Sequence, residues 1–201
     1  DAGEYEVAFS DGAVGTVDDT GRYIVAEAAP GKLVIDPKTV IVAADAAAKT
    51  YGASDPQLTA AINGVVQGEE SEITFDISRE SGESVGTYSI HVSGEETQGN
   101  YVVSYADAVF TITKSDELAV SASNYEGEYD GETHVLNASA TVQDGTTISY
   151  STDGGVTWSS EAPSITDVGQ INVTVRAENA GYETVETEAA LSVLPKPVTV
   201  A

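Results

Sequence analysis

The chain reads as all-β, or nearly so, built as a series of small modules. Two observations predict this. One local pattern occurs three times: Asp1-Ala2-Gly3-Glu4-Tyr5-Glu6-Val7-Ala8-Phe9, Ser84-Val85-Gly86-Thr87-Tyr88-Ser89-Ile90-His91-Val92 and Asp167-Val168-Gly169-Gln170-Ile171-Asn172-Val173-Thr174-Val175. Gly3, Gly86 and Gly169 are evenly spaced, 83 residues apart. A period longer than any single element signals tandem domains. Nearly every readable segment also alternates apolar and polar residues, the period of strands with one wet face. Two forms satisfy the alternation: a small antiparallel β-sandwich, or a β-grasp-like sheet with a helix across it.

Taken in order, residues 1–36 carry alternating apolar positions at Tyr5, Val7 and Phe9, at Tyr23 and Val25, and at Leu33 and Ile35. They read as the closing part of one module. Residues 37–114 read as a complete module, with strands around Tyr88, Ile90 and Val92, around Tyr101, Val103 and Tyr105, and around Ala108, Phe110 and Ile112. Asp55-Pro56-Gln57-Leu58-Thr59-Ala60-Ala61-Ile62 is the one candidate helical turn, with Asp55 as cap and Pro56 at the first position. Leu58, Ala60 and Ile62 fit a strand as well. Residues 115–195 read as a second, divergent module, with Ile171, Val173, Val175, Leu191 and Val193 pointing inward. Residues 196–201 read as the first strand of a following module. Turn chemistry separates the strands at Asp11-Gly12, Gly21, Gly52, Gly64, Glu95–Asn100, Asp144-Gly145 and Asp153-Gly154-Gly155. The seams at Asp36-Pro37, Lys114-Ser115 and Pro195-Lys196-Pro197 are short, and proline stiffens two of them, which predicts a semi-rigid rod.

Composition narrows the function. The chain has 201 residues and no cysteine, so hydrophobic cores rather than disulfides must hold it. Lys and Arg total 8 against 33 Asp and Glu, a formal net charge of -25. That balance repels nucleic-acid phosphates and anionic membrane surfaces. It favours solubility and attraction of divalent cations. No apolar run approaches the ~20 residues that cross a bilayer, so no membrane insertion is expected in this segment.

Lys49-Thr50-Tyr51-Gly52-Ala53-Ser54-Asp55-Pro56 is followed by Gly86-Thr87-Tyr88, Gly99-Asn100-Tyr101 and Phe110-Thr111-Ile112-Thr113. In order and spacing this stretch, residues 38–114, resembles the MBG repeat of bacterial surface proteins, the Tyr-Gly type named for similarity to mucin-binding repeats. Residues 1–36 resemble the closing half of such a repeat. The second module carries Tyr129-Asp130-Gly131 in place of Tyr-Gly and resembles related repeats of bacterial exoproteins. The resemblance implies a secreted or wall-attached protein with adhesive or scaffolding duties, and no catalytic residues. Tyr51, Gly52, Tyr129 and Gly131 are expected to be architectural, each tyrosine burying its ring at a module edge and each glycine allowing a bend.

Ser151-Thr152-Asp153-Gly154-Gly155-Val156-Thr157-Trp158 fits the Asp-box pattern. The reading is a hairpin clamp: Asp153 accepts bonds from turn amides, Gly155 takes a positive φ, and Trp158 packs beneath. A Trp158-centred carbohydrate platform is the sharper alternative. His91 lies on an outward strand face and His134 in a loop, without the clustering that zinc requires. Calcium is the metal the acids would suit, through Asp18 and Asp19, or Glu126, Glu128 and Asp130, with Glu69, Glu70 and Glu72 a further cluster. No EF-hand loop accompanies them, and a solvated acidic face is the plainer reading. A Lys–Asn crosslink of the kind found in bacterial surface rods has no local signature here. Asn137 and Asn172 sit in glycosylation sequons, a weak signal for a bacterial protein.

The expected function is structural and non-catalytic: a segment of a bacterial extracellular stalk, fibre or matrix protein. The alternatives are an adhesion module for glycans or host proteins, and accessory repeats of a larger exoenzyme. Expected partners are neighbouring modules, and other copies if broken modules complete each other in a head-to-tail filament.

Overall fold

The computed structural model describes residues 1–7 and 30–200. Phe9, Asp11-Gly12, Asp18, Asp19, Gly21, Tyr23 and Val25 lie outside the described residues. Among the described residues the fold is all-β, and the one helical element is a 3-10 turn at Glu70–Glu72. The β-grasp alternative needs a helix across the sheet, so the sandwich form is the one that fits.

Strands β1 (Gly3–Val7) and β2 (Gly31–Ile35) form an antiparallel ribbon in which Tyr5 faces Leu33. Strands β3 (Lys38–Ala44), β4 (Ala47–Thr50), β5 (Ala60–Asn63), β6 (Asp76–Arg79), β7 (Gly86–Ser93), β8 (Thr97–Gln98), β9 (Tyr101–Ala106) and β10 (Ala108–Thr113) follow. They make two four-stranded sheets, ordered β5-β3-β9-β8 and β4-β10-β7-β6. The chain continues with β11 (Val120–Ser123), β12 (Tyr125–Glu128), β13 (His134–Val135), β14 (Asn137–Ala140), β15 (Thr147–Ser151), β16 (Ser164–Ile165), β17 (Gly169–Glu178) and β18 (Val185–Leu194). These make the sheet β12-β18-β17-β15 and the pairs β11-β14 and β13-β16. Strand for strand, β4-β10-β7-β6 and β12-β18-β17-β15 have the same order. The parallel β3/β9 pairing shrinks in the second copy to a single parallel bridge, Ser115 to Tyr182.

Three expectations are corrected. The Asp55–Ile62 segment is no helical turn: its end is strand β5, antiparallel to β3, with Ala60 and Ile62 half-buried. Alternation at Leu58, Ala60 and Ile62 outweighs the Asp-Pro start, because pairing with β3 gives the apolar face a core to enter. The sheets are mixed rather than purely antiparallel, since β3 pairs β9 and β12 pairs β18 in parallel. Period-two alternation is identical in both pairings and could not distinguish them. His134 lies in β13, paired to Ile165, rather than in a loop.

Compactness divides the chain into two units. The first comprises Asp1–Ala47, Gln57–Glu80 and Tyr88–Phe110, the second Ala48–Pro56, Ser81–Thr87 and Thr111–Ala201. In the first unit Val40, Val42, Ile73, Val92, Tyr101 and Val103 form one core. Val40 and Val42 are fully buried while Thr39 and Ile41 between and beside them are exposed, as the pleat requires. Tyr101 buries its ring; its hydroxyl donates to the Glu69 carboxylate and accepts the Val66 N–H at 3.2 Å. Ile90 and Phe110 are also fully buried, and the Arg79 guanidinium lies 4.8 Å over the Phe110 ring.

In the second unit Leu136, Ile165, Val173, Val175, Ala189, Leu191 and Val193 form the core. The β17/β18 hairpin supplies most of it, pairing Ile171 with Leu191 and Val173 with Ala189. Each strand runs ten residues, and its alternate side chains leave Asn172 and Glu188 exposed on the opposite face. Burial of these branched and leucine side chains is the main stabilising term, at about 1.5–3 kcal/mol each.

Candidate functional site

The Tyr-Gly motif leads to the most specific packing in the second unit. Strand β4 ends at Thr50, and the chain turns through Tyr51 and Gly52, with the Ala53 N–H bonded to the Thr50 carbonyl at 3.1 Å. Gly52 has φ +80°, the value a type II turn needs at its third residue and one that a side chain strains. The Tyr51 N–H donates to the Thr113 carbonyl at 2.8 Å, which fixes the tyrosine at the end of β10.

The Tyr51 ring meets Tyr182 edge-to-face, with centroids 5.4 Å apart and planes at 74°. It also lies directly on Gly181, which is buried; a β-carbon there would overlap the ring. Asn179 holds this glycine turn in place. Its side-chain oxygen accepts the Gly181 N–H at 3.0 Å, and its amide donates to the Asp144 carbonyl at 3.0 Å and Thr146 Oγ1 at 2.9 Å. The Gly181 carbonyl accepts the Ser115 N–H at 2.9 Å, where the following strands begin. Beside the turn lies a hollow of about 460 Å³, lined in part by Tyr51, Ser84, Val85, Asp144, Asn179 and Gly181. Ala180-Gly181-Tyr182 stands in the sequence as part of the motif series of the second module, without a role assigned to Gly181 or Tyr182, and Asn179 was not singled out. The signal for the packing was the match of this triplet to Gly99-Asn100-Tyr101 one repeat earlier.

Near the motif, Lys49 is almost fully covered, its side chain 5% exposed, and pairs with Asp55 at 2.7 Å and with Glu83. The bond to Asp55, then that to Glu83, raises its pKa, so the amine stays protonated. Carboxylates rather than an asparagine surround the amine.

Tyr129 occupies the place in the second copy that Tyr51 has in the first: its N–H donates to the Leu194 carbonyl at 2.8 Å. Its side chain is exposed, which corrects the expectation that it buries its ring: among the described residues no glycine turn packs against it as Gly181 packs against Tyr51. Asp130 accepts the Glu132 N–H at 2.9 Å and contacts His134 Nε2 at 3.1 Å. These bonds, the backbone one first, hold its carboxyl below the usual range. Gly131 follows with φ +82°. The His134 ring stacks on Tyr125, centroids 3.9 Å apart, and their Nε2 and hydroxyl lie 2.8 Å apart. Glu126 and Glu128 project to the exposed face of β12. Among the described residues no three acidic or histidine side chains converge as a metal site. Glu69 and Glu70 are engaged separately, by the Tyr101 hydroxyl and by the Gly68 N–H at 3.0 Å.

Asp153 clamps its hairpin. One carboxylate oxygen accepts the Val156 N–H at 3.1 Å, the Thr157 N–H at 2.9 Å and the Ser151 hydroxyl at 2.7 Å. The other accepts the Thr157 hydroxyl at 2.6 Å. These bonds, the Thr157 hydroxyl first, hold the carboxyl far below the ordinary carboxylate range. Gly155 has φ +89°, and the Trp158 indole N–H donates to its carbonyl at 3.1 Å. Trp158 is half-buried, with the Arg176 guanidinium stacked 4.0 Å over its ring. His91 is exposed on β7 and contacts the Asp107 carboxylate at 2.8 Å.

Several tandem-domain structures are similar to the chain over most of its length. Extracellular domains 3–5 of Drosophila OTK are 12% identical, with 82% of this chain and 66% of that one covered and a TM-score of 0.38. The tandem Ig repeats of Dlar are 14% identical, with 81% and 100% covered and a TM-score of 0.30. Drosophila N-cadherin EC1-4 is 9% identical, with 79% and 51% covered and a TM-score of 0.28. The chain thus spans just under two thirds of the first and about half of the last. No curated protein matches it. Residues 40–111, the segment that carries Tyr51-Gly52, match the family model of the MBG domain (YGX type).

Proposed function

We propose that the chain is a structural repeat segment of a bacterial extracellular protein of the stalk, fibre or matrix kind, and that it is not catalytic. One observation carries the reading: the motif Tyr51 is spent on packing against Gly181 and Tyr182 rather than presented to solvent. Polar side chains at the turns are likewise committed to bonds within the chain. Asp153, Asp130 and Asn179 each satisfy local backbone N–H groups. Groups committed in this way supply rigidity, which is what a spacer needs. The partners are neighbouring repeats and, in an assembled fibre, other copies. Small-angle X-ray scattering on the purified chain tests the reading. An elongated particle supports it, and a radius of gyration near that of a single 200-residue globule, about 16 Å, argues against it.

A second reading is favoured by the outer face of β17 and β18. There Asn124, Asn172, Thr174, Glu188 and Ala190 border an open polar groove of about 650 Å³, with Thr152 and Gly154 of the Asp153 hairpin at its rim. A shallow polar groove of this kind suits a glycan. A glycan array with the intact chain separates the readings: binding that is lost on Asn172→Ala or Trp158→Ala supports adhesion, and no binding leaves the structural role.

A further inference from the structure

The hollow beside Tyr51 and the backbone bond that frames it recur along the chain in a fixed register. In the second unit the hollow beside Gly181 is bordered by Ser84-Val85 just before Gly86. In the first unit an equivalent hollow of about 260 Å³ is bordered by Asp1-Ala2 just before Gly3, with Asn100 and Tyr101 in the places of Gly181 and Tyr182. The backbone bonds match. Lys38 N–H donates to the Asn100 carbonyl at 2.9 Å, as Ser115 N–H does to Gly181. In the first hollow the Ala2 N–H also donates to the Asn100 side chain at 2.8 Å.

A third copy of one side of this arrangement is present and uncovered. Tyr129 is the counterpart of Tyr51, Leu194 of Thr113, and Asp167-Val168 of Ser84-Val85. All three apolar side chains are open to solvent: Tyr129 at 39%, Val168 at 52% and Leu194 at 43%. Directly beyond them, Lys196-Pro197-Val198-Thr199-Val200 repeats the pattern Lys38-Thr39-Val40-Ile41-Val42. Val40 and Val42 are fully buried, whereas Val198 and Val200 are 84% and 89% exposed.

We propose that Tyr129, Val168 and Leu194 form a docking face for a further repeat whose first strand is residues 196–200. The occupant is that repeat's Asn-Tyr or Gly-Tyr turn. The Tyr129 ring packs on the small residue of the turn, as Tyr51 packs on Gly181. Where the turn carries asparagine, its side chain receives the Val168 N–H, as Asn100 receives that of Ala2. The inference rests on the tandem-repeat part of the functional reading, and the two fail separately.

The test extends the 201-residue chain in register. Its own residues 44–114 are appended after Ala201, so that Lys196–Ala201 stands in for Lys38–Ala43. Two readouts are taken: nitration of Tyr129 followed by mass spectrometry, with exposed Tyr5 as internal reference, and amide exchange at Val198 and Val200. The expected result is Tyr129 reactivity lowered about tenfold relative to Tyr5, with both valine amides protected. Tyr129→Ala then lowers the melting temperature of the appended repeat and leaves that of the unextended chain unchanged. Protected valines with undiminished Tyr129 reactivity overturn the docking face and leave the repeat reading intact. Unprotected valines overturn both.

Discussion

Gly181 shows how much one hydrogen atom in place of a methyl can decide. The Tyr51 ring occupies the space a β-carbon would take, and Asn179 holds the glycine from the other side. Gly181→Ala is therefore expected to destabilise the chain by about 1–3 kcal/mol in urea unfolding, the cost of overpacking a site with nowhere to move. Tyr51→Ala removes the edge-to-face pair with Tyr182 and should cost at least the ~0.5–1.5 kcal/mol such a pair contributes. Combined, the two changes should be less than additive, because the alanine clash disappears with the ring. Asp153 gives a pH signature. Its folded carboxyl lies below the ordinary value of ~3.9, so its contribution is fully present above that pH and lost as pH falls toward the folded value. Acid unfolding followed by tryptophan fluorescence should show a shallower loss of stability in Asp153→Asn, which starts weaker at neutral pH. Lys49 acts in the opposite sense. Its pKa is raised, so its contribution is present below the ordinary lysine value and lost as pH rises through the folded one.

At the scale of elements, the strands hold because alternate residues share a buried face. Phe110 is the clearest case: fully buried, with Arg79 over its ring. Phe110→Ala should cost about 3–5 kcal/mol, measured by chemical denaturation. The neighbouring exposed Val109 should tolerate Val109→Thr within about 0.5 kcal/mol, since it touches no such feature. The ribbon of β1 and β2 stands apart from these, with Tyr5, Val7, Leu33, Val34 and Ile35 all exposed. A two-stranded ribbon with its apolar residues open is marginal in water. Its amides should exchange far faster than those of β17 and β18.

For the whole molecule, the charge of -25 is the governing quantity. Self-repulsion on that scale opposes compactness and is screened by salt. The melting temperature should rise between low salt and about 0.5 M sodium chloride, where the Debye length falls well below ~10 Å. Calcium tests something narrower. A chelator-treated sample should show the same melting temperature with calcium as with magnesium if the acids act only as a diffuse field. A rise specific to calcium would point to a bound ion, with Asp18 and Asp19 the first candidates to substitute.

The alternation of Tyr88, Ile90 and Val92 was legible from the chain because a strand's two faces are set by local geometry. The same holds for the Asp153 hairpin, whose clamp spans only Ser151 to Trp158. The glycine-led period announced the repeats for a similar reason: copies of one pattern need no folding to be compared. Pairing was not legible. Val40 meets Val103 in parallel and Val173 meets Ala189 antiparallel, although both strands alternate alike. Which edges join depends on which apolar faces can be buried together across long separations. The packing of Tyr51 on Gly181 and the stacking of Arg176 on Trp158 belong to the same class. Each joins residues from strands or turns that the chain brings together only on folding, and no spacing rule announces such a meeting.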